Sequence, residues 1–273
     1  QGSLFYGAYS VDQYSQLFKL MIAGGLTMFL LFTPAFKAID RAIRPEYFMF
    51  LLLSVLGLMM LVSSVELMAI FISLELSSFA LYLLVPMRDE RTGVRVQMEA
   101  GMKYILFGVM ATGLMLYGMS LLFGLTGTTY LKEILAFLAA GNLQPAVVVA
   151  VLLVLVGFLY KLAVFPMHFW VPDIYQGASN ETTGFIATLP KFGAVALLIR
   201  FLVVPTGHST FLIQVLAVLA LCSMFYGNLS ALVQKDIKRM LGFSGIAHAG
   251  FIVLGLLSLN TEGYGLAIYY VAG

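Results

Sequence analysis

The run PAVVVAVLLVLVGFLYKLAVFPMHFW, from Pro145 to Trp170, decides the fold. Its side chains are apolar up to Leu159, and a hydrocarbon core takes about 20 such residues to cross. Lys161 then lies deep in the run, and Pro166 follows it. Proline removes a backbone donor and bends or breaks a helix. A broken span survives in a bilayer only where its freed backbone is buried in protein or lines a wet cavity. Such breaks mark ion sites in transporters. The run therefore reads as an interrupted membrane helix with a buried cation beside the interruption.

The rest of the chain is of the same kind. Of its 273 residues, 61% are hydrophobic and 10% charged, against about 25% charged in a soluble domain. Such a surface suits lipid rather than water. A net charge of +2 leaves no electrostatic footprint for nucleic acid. The single cysteine, Cys222, excludes an intrachain disulfide, and no metal or iron–sulfur spacing is present. Neither a phosphate-binding loop nor a dinucleotide fingerprint occurs. No cofactor and no metal is expected in this chain.

Outward from the quoted run, apolar stretches separated by short polar links give eight spans and the start of a ninth, in one transmembrane domain over residues 1–273. The first is Tyr14–Phe36, the second Tyr47–Ser63, the third Glu66–Pro86 and the fourth Met98–Leu125. Tyr130–Ala140 is amphipathic and too short to cross, so it belongs on the membrane surface. The interrupted fifth span is followed by Thr183–Val204, Phe211–Val233 and Ile237–Leu259, and the ninth begins near Glu262. The last run is too short to cross and the chain opens on Gln1, so it reads as an internal piece of a longer protein. Three links carry Lys37, Arg41 and Arg44; Arg88, Arg91 and Arg95; and Lys235, Lys238 and Arg239. All three fall on one side if every span crosses once, with Lys132 and Arg200 on the other. Cytoplasmic loops are enriched in Lys and Arg, so the basic side is expected to be cytoplasmic and Gln1 outside. The link Val171–Glu181 lacks Lys and Arg although it counts to the basic side, which an interrupted span explains by holding the link within the protein.

Three ionisable residues lie where lipid should exclude them. Glu75 is in the middle of the third span, Lys161 deep in the fifth, and Lys191 in the sixth directly after Pro190. A charge at bilayer centre costs roughly 2.5–3.5 kcal/mol on insertion scales, so such groups are functional candidates by default. An acid and two bases at depth form a proton relay, because a nearby carboxylate changes how readily a buried lysine holds its proton. The competing reading is a static Glu75–Lys161 ion pair joining two helices. Lys191 alone would also suit snorkelling or capping. His168 lies between Pro166 and Pro172, and His248 inside the eighth span; histidine titrates near neutrality and can relay protons, though a bond to a neighbouring helix explains His248 equally well. Ser77, Ser78, Tyr82, Thr188 and Ser244 suit hydrogen bonding between helices.

With those residues in hand, the chain resembles the antiporter-like membrane subunits of respiratory complex I, the proton-pumping NADH:quinone oxidoreductase, and among them the subunit N type. The stretches that carry the resemblance are ELMAIFISLELSSFALYLL (66–84), YKLAVFPMHFWVPDIYQG (160–177), ATLPKFGAVALLIR (187–200) and QKDIKRMLGFSGIAHAG (234–250). The lysine followed by PxHFWxPDxYxG is the specific part. The resemblance implies an all-α, polytopic, antiporter-like fold with inverted five-helix repeats and a broken helix. The first repeat would be residues 47–204, the second would be partial over 211–273, and both ends would be truncated. It places the family's buried glutamate on Glu75, its two lysines on Lys161 and Lys191, and its histidines on His168 and His248. The family's later exit lysine would lie beyond Gly273.

The resemblance further implies a multi-pass subunit of a proton translocase in the bacterial cytoplasmic (inner) membrane. Its partners would be other membrane subunits and the lipid bilayer, and its cargo protons. NADH, FMN, iron–sulfur clusters and quinone would belong to partner subunits. A subunit of a Na⁺/H⁺ antiporter without redox partners is the rival of the same superfamily. A structural subunit with inert charges is the third reading. One departure stands out: where the family has a proline-rich turn after Gly177, this chain has Ala178-Ser-Asn-Glu-Thr-Thr183.

Overall fold

A computed structural model describes residues 2–33, 36–88, 94–140, 144–202 and 210–273. A short antiparallel hairpin opens the chain, β1 (Gly2–Leu4) paired with β2 (Tyr9–Val11). Eleven helices follow among the described residues: α1 (Gln13–Phe32), α2 (Arg44–Leu61), α3 (Leu67–Leu84), α4 (Val94–Thr126), α5 (Leu131–Ala139), α6 (Pro145–Leu162), α7 (Trp170–Gly177), α8 (Asn180–Leu202), α9 (Thr210–Leu232), α10 (Ile237–Leu256) and α11 (Thr261–Ala272). Eight of them are long and apolar enough to cross a membrane. The expected eight spans and the start of a ninth are therefore all present, and the hairpin ahead of the first span is an addition that the sequence reading did not contain.

Packing follows the apolar pattern. α2 lies on α3, α4 on α6, and α10 on α9, with α8 touching α1, α2, α6, α10 and α11. Small residues allow the closest approaches, as expected where lipid supplies no hydrophobic drive between helices. A Cβ at Gly57 would lie 2.5 Å from the Ser77 nitrogen of α3. One at Gly227 would lie 2.6 Å from the Ala247 nitrogen of α10. Buried hydroxyls add polar joints: Ser54 and Ser77 share a hydrogen bond of 3.1 Å, and Ser64 and Ser73 one of 3.2 Å.

The links gather at two ends. At one, Arg200 donates to both carboxylate oxygens of Asp12 at 3.0 and 3.1 Å and to the Val62 carbonyl at 3.0 Å. Asp12 in turn caps α1 through the Ser15 N–H. α5 lies at this end, tied by Leu131 N–H to the Val65 carbonyl and by Leu67 N–H to the Thr129 carbonyl. Its buried face is Leu131, Ile134, Leu135 and Leu138. At the opposite end Arg88 donates to the Gly177 carbonyl at 3.1 Å and Lys238 to the Ala178 carbonyl at 2.8 Å. Two of the three basic links thus meet on the segment after α7, as the count of crossings expects. Arg91 and the Arg95 side chain lie outside the described residues.

Candidate functional site

The interrupted span breaks directly after Lys161. α6 ends at Leu162, and Ala163 takes a left-handed conformation with φ of 67°. The chain then runs irregularly to Trp170, where α7 starts. At membrane depth such backbone must find partners, and here it does. The Phe165 N–H donates to Ser223 Oγ of α9 at 2.8 Å. The Tyr160 carbonyl accepts from the Trp170 indole N–H at 3.1 Å. Trp170 stacks on Tyr104 of α4 with centroids 5.0 Å apart, and Tyr104 meets Tyr82 of α3 edge-on at 4.8 Å. The aromatic set fixes the broken end of α6.

Lys161 is 5% exposed. Its ammonium donates to Ser78 Oγ at 2.9 Å, and the Ser78 hydroxyl in turn donates to the Leu74 carbonyl at 2.8 Å. Ser78 lies three residues from Glu75, so both sit on one face of α3. Glu75 is half-buried and accepts from Thr112 Oγ1 of α4 at 2.9 Å. Among the described residues Glu75 and Lys161 make no direct ion pair, yet each stands within the other's electrostatic reach. The static pair weighed above is thus not formed. The two groups hold separate hydroxyl partners, Glu75 on Thr112 of α4 and Lys161 on Ser78 of α3. Thr112 was absent from the sequence reading, and no local pattern marks it, since it reaches Glu75 from another helix.

Lys191 follows Pro190 in α8 and reaches the Gly245 carbonyl of α10 at 3.4 Å. Gly245 leaves room for it: a Cβ there would stand 3.2 Å from the ammonium. Lys191 borders a cavity of about 560 Å³ whose polar lining includes Asn180, Thr183, Lys238, Ser244 and His248. The cavity joins the half-buried Lys191 to the end of the bundle where Lys238 lies. His248 is exposed on α10 and its Nδ1 is 2.7 Å from the Tyr270 hydroxyl of α11. It therefore both bonds a neighbouring helix and borders the Lys191 cavity. His168 is only 1% exposed, and neither ring nitrogen has a protein partner. Its ring lies against Phe165 and Tyr226, at 5.4 and 4.6 Å between centroids. The structure brings Lys191 and His248 to one cavity, brings Glu75 and Lys161 to one face of α3, and leaves His168 in an aromatic enclosure apart from both.

The fold and this set of ionisable groups within the helix bundle define a polytopic membrane protein of the antiporter-like class. The family model described as NADH:quinone oxidoreductase/Mrp antiporter, transmembrane region, matches residues 64–273, and the chain belongs to that family. A relative from Opitutus terrae named NADH-quinone oxidoreductase subunit N 2 is 53% identical over 99% of this chain and 56% of its own length. A chain of the structure described as respiratory complex I from Thermus thermophilus with bound aureothin superposes with a TM-score of 0.80 at 35% identity, over 98% of this chain and 57% of that one. A chain of the membrane-bound sulfane sulfur reductase, an archaeal respiratory membrane complex, superposes with a TM-score of 0.86 at 27% identity, over 100% of this chain and 55% of that one. The chain spans about half the length of the curated relatives it matches.

Proposed function

We propose that the chain is part of a proton-translocating membrane subunit of an NADH:quinone oxidoreductase, of the subunit N type. Glu75, Lys161 and Lys191 carry the proton, and His248 serves the Lys191 cavity. The observation that carries this reading is Lys161: a fully enclosed ammonium at a broken helix, held by a hydroxyl one turn from a carboxylate. A buried charge of this kind is costly in lipid and persists where it works. Because Lys161 and Glu75 are close but unpaired, a small displacement of α3 changes the balance between them, and with it how firmly Lys161 holds its proton. Release toward Lys191 and the cavity behind it completes the transfer.

The redox chemistry, with NADH, FMN, iron–sulfur clusters and quinone, belongs to partner subunits in this reading. The chain's own residues hold and move protons only. The membrane is the bacterial cytoplasmic membrane, with the Arg88–Lys238 end facing the cytoplasm, following the excess of Lys and Arg in cytoplasmic loops. Residues 47–204 form one five-helix repeat and 211–273 part of its inverted counterpart. The Opitutus relative's name supports the redox-linked reading over a Na⁺/H⁺ antiporter. The test is Lys161→Ala in the full-length protein within its native complex, sealed in vesicles. NADH-driven proton uptake is expected to fall steeply; unchanged uptake would remove Lys161 from the transfer. Sodium exchange driven by a pH gradient, without co-purifying flavin, would instead favour the antiporter.

A further inference from the structure

We propose that Asp173 is a positioning residue for Lys161, acting by clamping the short helix α7 between α4 and α10; this rests on the proton-translocating reading above. One carboxylate oxygen of Asp173 accepts from the Lys103 ammonium of α4 at 2.7 Å, and the other from the Arg239 guanidinium of α10 at 2.5 Å. Arg239 also donates to Gln176, one turn further along α7, at 3.0 Å. Partial burial pushes the Asp173 carboxyl up, but hydrogen bonds and charge from Lys103 and Arg239 outweigh it and hold the group below the usual carboxylate range. It therefore stays charged, and a charge shared between two helices is a stronger constraint than a neutral bond.

The clamp has a route to Lys161. Trp170 lies three residues before Asp173, at the start of α7, and its indole N–H holds the Tyr160 carbonyl. Tyr160 is the residue preceding Lys161. Cations at the C-terminal carbonyls of α7, Arg88 on Gly177 and Lys238 on Ala178, prevent the segment from sliding along its axis. The position of the Lys161 ammonium is thus set from α10, the helix that also carries Gly245 and His248 on the Lys191 side. Movement of α10 reaches Lys161 through Arg239, Asp173, Trp170 and Tyr160, without any contact to Lys161 itself.

The experiment is a double-mutant cycle in the full-length protein, assembled in its native complex and sealed in vesicles, with proton uptake measured per assembled complex. Asp173→Asn is expected to lower uptake by up to about a hundredfold, the loss a misplacement near 1 Å can bring, and Asp173→Glu to restore most of it. Trp170→Phe, which removes the indole donor and part of the ring stacked on Tyr104, is expected to cost a similar factor. The double variant Asp173→Asn with Trp170→Phe should then be no worse than Asp173→Asn alone, because both act on one route. Losses that multiply, or uptake at the wild-type level in Asp173→Asn, would overturn the inference. Should Asp173→Asn fail to assemble, Arg239→Gln takes its place in the same cycle with the same two outcomes. Lys161→Ala run in parallel separates the failures: if it pumps normally, the translocation reading falls and the inference with it. If it is silent while Asp173→Asn pumps normally, only the inference falls.

Discussion

Replacing Gly57 by alanine should damage the site from a distance of two helices, whereas the same change at Gly24 should not. A Cβ at Gly57 would meet the Ser77 nitrogen at 2.5 Å, the Ser73 carbonyl oxygen at 2.9 Å and the Ser77 Cα at 3.0 Å. Ordinary contact begins near about 3.5 Å, so α3 must move by about 1 Å relative to α2. The obstacle is backbone, which no rotamer change relieves. Overpacking of this size costs about 1–3 kcal/mol, offset by about 1 kcal/mol from the better helix propensity of alanine. α3 also carries Ser78, whose 2.9 Å bond holds Lys161, and a 1 Å shift in either sense breaks or crushes a bond of that length. At Gly24 a Cβ meets nothing within 4 Å, so only the propensity gain remains. The assay is thermal unfolding of the purified full-length protein together with proton uptake in vesicles. Gly57→Ala should melt lower than wild type and lose uptake; Gly24→Ala should melt at or above wild type and keep it. A Gly57→Ala protein as stable and active as Gly24→Ala would refute the close α2–α3 contact and its link to Lys161.

Thr112→Val removes the hydroxyl on Glu75; hydrogen bonds to charged groups are worth about 1.5–3 kcal/mol, so proton uptake should fall by at least about tenfold, with Thr112→Ser recovering it. Ser78→Ala leaves Lys161 without its hydroxyl partner and should lower both melting temperature and uptake, while Ser78→Thr restores melting. Acid stability tests the other end of the bundle. Burial pushes the Asp12 carboxyl up, but the Ser15 N–H and Arg200 outweigh it and hold it below the usual carboxylate range. A carboxylate lowered on folding stabilises fully above its unfolded pKa, about 4, and that contribution fades as pH falls through the lower folded value. Arg200→Gln should therefore melt lower than wild type at neutral pH, with the difference shrinking as pH drops below about 4. Equal melting curves at neutral pH would show that the clamp contributes nothing.

The spans were legible because hydrophobic length is a property of contiguous sequence. The break after Lys161 was legible for the same reason: lysine, proline and the PDxY run stand next to one another, and α6 does stop at Leu162. The depth of Glu75 and Lys191 could be counted along their spans. What could not be read were contacts made across the bundle. Thr112 reaches Glu75 from α4, Ser223 caps Phe165 from α9, and Lys103 and Arg239 meet at Asp173 from helices far apart in sequence. Arg200 read as one of a few basic residues opposite the basic links, yet it is paired twice over with Asp12. A pattern along one helix carries no information about which neighbour its polar face will meet. The hairpin of β1 and β2 leaves no mark in the apolar pattern because it lies outside any membrane-length run, and its strands are only three residues each.

The most direct measurement is a density map of the full-length protein in lipid, at a resolution that shows ordered water. Among the described residues, protein groups alone do not join Glu75, Lys161 and Lys191, so a relay among them requires water to complete the path. Water should appear beside Ser78 and Lys161, and in the cavity bordered by Lys191, Lys238 and His248. A continuous dry seam of apolar side chains between Lys161 and Lys191, seen under conditions of turnover, would contradict proton transfer through this chain.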